Sequence, residues 1–147
     1  MKRKEFLRSV GASAAFAVLY PCLGSCSKDD ATNGAIVKEP EEVNFTVDLN
    51  SSEGQKLNEN GSFILKNYVV VAKNLEGEYV AASQVCSHQQ YDQVRFVPIE
   101  GGIFHCDVHG SKFAQDGSPL NQVQGDPARP IKIYNIQREG DILTITA

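Results

Sequence analysis

Two short segments carry the side chains whose types and spacing can do chemistry. Cys86 is followed two residues on by His88 in "CSH", and Cys106 three residues on by His109 in "CDVH". The chain has only three histidines in 147 residues, so a histidine beside each of these cysteines is not the expectation of chance. Two thiolates and two imidazoles suit a tetrahedral zinc, and they equally suit a two-iron cluster with one pair on each iron. The bland alternative is a disulfide between Cys86 and Cys106, which would contribute about 3 kcal/mol in an exported domain. A disulfide needs no histidine, but ligand types alone leave all three chemistries open.

The elements that must position these side chains read as strands. Short, β-branched, partly alternating runs cover 42–49, 67–73, 78–84, 94–99, 102–106, 131–137 and 142–146. Turn segments such as "NENG", "NLEG", "EGG" and "REGD" separate them, and no helical period is sustained. The chain is therefore expected to be all-β, a small antiparallel sandwich or barrel with one core. A hairpin from Val94 to Cys106 brings the preceding loop, with Cys86 and His88, to the same end as the following loop, with Cys106 and His109. His105 directly precedes Cys106 on a strand, so it points to the opposite face and is expected to be a packed or surface residue.

The N-terminus has a different composition. Lys2, Arg3, Lys4 and Arg8 form a basic head, "VGASAAFAVLY" follows as a short apolar stretch, and the chain then runs into "LGSC". That layout resembles a lipoprotein export signal over residues 1–25, with Cys26 as the lipidated mature N-terminus. "RKEFLR" resembles a twin-arginine signal with Lys4 at the second arginine, and an ordinary basic head fits equally well. Residues 26–41 read as a flexible acidic tether whose "CSKDD" resembles a surface-export tag, leaving 42–147 as the folded domain. Cleavage before Cys26 takes the balance from 14 basic and 18 acidic residues to 10 and 17, a formal charge of −7. Such a surface disfavours nucleic acid as a partner.

With these motifs in place, the chain resembles the Rieske iron-sulfur family. C-x-H, seventeen residues, then C-x-x-H, followed by "GSKF", is similar to the two cluster-binding loops of that family, and "GDPARP" (125–130) to the loop that covers them. The resemblance implies a Rieske-type fold and a [2Fe-2S] cluster, with Cys86 and Cys106 on the buried iron and His88 and His109 on the outer one. It also implies that Ser111 supplies a hydroxyl to a cluster sulfide and that Pro127 belongs to the covering loop. Phe113 stands where higher-potential members have a tyrosine. Replacing two thiolates by neutral imidazoles leaves the oxidised centre less negative, which raises the potential into the range of about −150 to +300 mV. Three features depart from the family pattern: "QQY" at 89–91, Asp107 where a proline is frequent, and Asp126, which lengthens the covering loop.

Function follows from what remains. Once His88 and His109 are assigned, His105 alone cannot form the two-histidine, one-carboxylate iron site of an oxygenase. The expectation is a lipid-anchored electron carrier of the cell envelope, outside the cytoplasmic membrane. It would serve an unidentified redox protein or a quinol or other oxidoreductase complex. A zinc-stabilised binding module and a disulfide-bonded surface lipoprotein without redox role are the alternatives.

Overall fold

The computed structural model describes residues 34–127 and 129–147, so the expected signal, Cys26 and the first half of the expected tether lie outside the described residues. Nine short strands are formed: β1 (Asn44–Asp48), β2 (Phe63–Lys66), β3 (Val69–Lys73), β4 (Tyr79–Ser83), β5 (Val94–Val97), β6 (Ile103–Cys106), β7 (Lys112–Phe113), β8 (Ile133–Glu139) and β9 (Ile142–Thr146). They build a six-stranded sheet in the order β1-β9-β8-β4-β3-β2 and a three-stranded sheet β5-β6-β7, with every pairing antiparallel. Among the described residues one 3-10 helix, Gly54–Asn58, links β1 to β2. Among the described residues no helix is long and apolar enough to cross a membrane.

Period-two alternation explains how one strand joins two apolar clusters, so that the single core expected from sequence is built in two layers. β3 begins Val69, Val70, Val71, Ala72, all four buried, and ends on the half-buried Lys73. Val69 and Val71 face one apolar cluster with Leu57, Leu143 and Ile145. Val70 and Ala72 face the other, with Phe96, Phe104, Cys86 and Cys106. The large sheet thus has a buried inner strand with an apolar layer on each face, which is why β3 lacks the polar alternation of a half-exposed strand. Phe96 and Phe104 meet edge to face at 5.5 Å and fill the second cluster.

Two sequence expectations change here. Asn67 and Tyr68 are not strand residues but the two-residue turn between β2 and β3, with φ of 50° and 59°. Positive φ at both positions matches the right-handed twist of a tight hairpin, and Lys66 consequently pairs with Val69. The expected tether is also shorter than 26–41. Ile36 bridges Tyr91, Val37 N–H donates to the Gln90 carbonyl at 3.0 Å, and Asp92 N–H donates to the Ala35 carbonyl at 3.0 Å. Residues 35–37 therefore pair with the loop that carries Cys86, because that loop would otherwise leave an open backbone edge.

Candidate metal centre

The register Val94↔Cys106 ends the β5–β6 hairpin, and Asp107 N–H continues it by donating to the Gln93 carbonyl at 3.1 Å. That pairing fixes the loop before β5 beside the loop after β6. The two loops are built alike. Cys86 N–H donates to the Tyr91 carbonyl and the Cys86 carbonyl accepts from Gln90 N–H, both at 2.8 Å. Cys106 N–H donates to the Ser111 carbonyl at 2.8 Å and its carbonyl accepts from Gly110 N–H at 2.9 Å. Each turn needs a left-handed residue four positions after its cysteine, supplied by Gln90 at φ 59° and Gly110 at φ 78°. The "QQY" departure is thus accommodated, with Gln90 doing what glycine does in the second loop.

This geometry brings the sequence-predicted residues together. Cys86 and Cys106 are free thiols at 1% and 0% exposure, and they are not joined as a disulfide. The rings of His88 and His109 stand edge to face with centroids 5.1 Å apart. Hydrogen bonding from the Cys106 thiol pushes the Cys86 pKa down to about 6 against the opposing effect of burial, with the His88 backbone N–H also favouring the thiolate. The reciprocal effect, together with burial, pushes Cys106 up. The pair therefore gives up a first proton readily and holds its second firmly.

Among the described residues three buried side-chain polar atoms have no hydrogen-bond partner: Nδ1 of His88 and Oγ of Ser111, which line one cavity here, and the Tyr134 hydroxyl in the other apolar cluster. The Ser111 hydroxyl leans toward the Cys86 sulfur, whose thiolate it favours, without completing a hydrogen bond to any protein group. Leaving such atoms unpaired costs about 1–3 kcal/mol each, so the presence of the first two together calls for a bound group with an acceptor for the Ser111 hydroxyl and a metal for the imidazole nitrogen. Among the described residues no three His, Cys, Asp or Glu side chains close on one ion. The arrangement, sulfur beside sulfur and ring beside ring, is the one that two irons can share.

The walls of the site are also defined. Phe113 is buried at 3% exposure in the apolar cluster that contains both cysteines. Asn121 ties down the second loop: its side chain accepts from Lys112 N–H and donates to the Gly110 carbonyl, each at 2.8 Å. Ser87 Oγ donates to the Arg129 carbonyl at 3.1 Å, fastening the first loop to the covering segment. Pro127 lines a narrow cavity with His88, Ser111, Phe113 and Asp126.

Two residues singled out as departures gain definite roles in this geometry. Asp107 faces away from the site, with Oδ1 2.9 Å from Nδ1 of His105, so it is not a free charge beside the rings. His105 is accordingly a surface partner on the opposite face. Asp126, read from sequence only as a lengthening of the covering loop, reaches His88 with Oδ2 at 2.8 Å from Nε2. Tyr91 places its ring 5.6 Å from that of His109. No motif in the sequence marks either contact.

A family model, the Rieske [2Fe-2S] domain, matches residues 31–135. The biphenyl dioxygenase ferredoxin subunit of Pseudomonas sp. (strain KKS102) is 28% identical over 71 residues, covering 48% of this chain and 63% of that one. The quaternary ammonium Rieske monooxygenase CntA, solved in complex with L-carnitine, aligns with a TM-score of 0.47 at 16% identity, over 63% of this chain and 30% of that one. The match spans less than two thirds of either relative.

Proposed function

The chain belongs to the Rieske [2Fe-2S] domain family, and we propose that it serves electron transfer through a Rieske-type cluster whose ligands are Cys86, Cys106, His88 and His109. Cys86 and Cys106 bind as thiolates in the apolar interior, and His88 and His109 bind through ring nitrogens at the outer end. A cluster held by these residues would supply one-electron redox chemistry. The protein's own part is to keep the thiolate side dry, to hold both rings at fixed angles, and to present a hydroxyl from Ser111.

One observation carries the ligand assignment: two free buried thiols beside two rings 5.1 Å apart, one with an orphaned inward nitrogen. Substitution tests it. Cys86→Ser, Cys106→Ser, His88→Ala and His109→Ala should each abolish the visible absorption of the purified protein, whereas His105→Ala should keep it. Loss of colour in His105→Ala with retention in His88→Ala would contradict the assignment.

The setting is part of the same proposal. The protein is anchored in the cell envelope through a lipid on Cys26, after removal of residues 1–25, and passes electrons to or from an oxidoreductase partner. Support comes from the basic head, apolar stretch and "LGSC" of the N-terminus. The relative named as a dioxygenase ferredoxin subunit supports a partner that is itself a redox enzyme. Cys26→Ala should move the protein from the membrane to the soluble fraction; unchanged membrane attachment would rule out the lipid on that residue.

A further inference from the structure

Nε2 of His88 lies 2.8 Å from Oδ2 of Asp126, across 38 positions of sequence. Asp126 is delivered by a tight turn: its N–H donates to the Val123 carbonyl at 3.0 Å, and Gln124 and Gly125 both adopt positive φ, 55° and 80°. A carboxylate oxygen accepts, so Nε2 carries the hydrogen and Nδ1 is left with the lone pair. Nδ1 is the buried atom that has no partner, and the His88 side chain is only 8% exposed. The contact thus selects the tautomer that turns its lone pair inward, and it fixes the plane of the ring.

We propose that Asp126 is the positioning residue for His88: from the covering loop it holds the ring in its ligating tautomer, sets a negative charge at its outer edge, and closes His88 to outside partners. This deepens the cluster assignment above and rests on it. The ring left for a redox partner is then His109, which packs edge-on against Tyr91. The added charge favours the less negative, oxidised centre, so Asp126 lowers the potential. Asp107 supplies an internal comparison. It is also an aspartate against a histidine, at 2.9 Å, but its partner His105 lies on the other face of the strand.

The experiment compares holoprotein, D126N, D126A and D107N at one neutral pH. Visible absorption and iron content first establish that each carries the cluster. Midpoint potentials are then measured by voltammetry, and the ligand-nitrogen couplings of the reduced state by pulsed EPR. D126N and D126A should both shift the potential upward, by more than D107N, which removes the same charge. D126A should also change the coupling of one histidine nitrogen, while D126N, which keeps an acceptor for Nε2–H, should retain it. A D126N shift no larger than that of D107N, or unaltered couplings in D126A, would overturn the proposal. A wild-type protein without a cluster would instead overturn the ligand assignment on which it rests.

Discussion

At the scale of single residues, the potential is set by which side chains can donate a hydrogen bond to sulfur. Ser111 has a buried hydroxyl with no protein acceptor, and Phe113 is a buried ring with nothing to donate. A donor that strengthens by about 1 kcal/mol on reduction is worth roughly 40 mV in a one-electron couple. Phe113→Tyr should therefore raise the midpoint by about that amount and Ser111→Ala should lower it, both read by voltammetry; a fall for the first or a rise for the second would contradict their placement. The four ligand candidates, Ser111 and Phe113 were legible in the sequence because each belongs to a local motif of fixed spacing. The Asp126–His88 contact was not, because it joins positions 38 apart and depends on a turn whose direction no composition pattern encodes. Asp107 was noticed for its charge, yet its side chain engages His105, since alternate strand residues face opposite ways.

At the scale of elements, the loops depend on a few backbone hydrogen bonds and on one tight turn. Gly117 has φ 89°, and a Cβ there would sit 2.5 Å from the Ile131 carbonyl oxygen, where the end of the covering segment meets the turn after β7. Gly117→Ala should cost about 1–3 kcal/mol and lower the melting temperature, because both the conformation and the space are denied. A melting temperature equal to wild type would mean that this turn does not brace the covering segment. Residues 35–37 make two backbone hydrogen bonds to the first loop. Starting the domain at residue 38 should cost about 1–3 kcal/mol and speed cluster loss, whereas starting it at residue 34 should not. The hairpin of β5 and β6 was legible because both strands are apolar and joined by "EGG". β2 was not, because "FILK" is only four residues long and its turn, Asn67–Tyr68, looks like the start of the next strand.

At the scale of the molecule, the nine strands and two apolar clusters of the described residues hold a pair of loops at one end, and Cys86 and Cys106 belong to the core itself. Phe104, Phe96 and both thiols share one cluster, so the site and the fold are stabilised together. A ligand that binds only the folded chain adds to its stability, and stripping the cluster with a chelator under reducing conditions should lower the melting temperature by roughly 10 °C or more. The overall antiparallel design was legible because alternation and turn residues agree across most of the chain. The division into two layers around β3 was legible only as an uninterrupted apolar run, "VVVA", which does not say what covers each face. The most direct measurement is the reduced-state EPR spectrum and midpoint potential of protein purified with its native metal. Two cysteines and two histidines on two irons predict a red-brown protein, coupling to histidine nitrogens, and a midpoint between about −150 and +300 mV. A colourless protein, or a cluster with no histidine coupling and a midpoint near −400 mV, would contradict it.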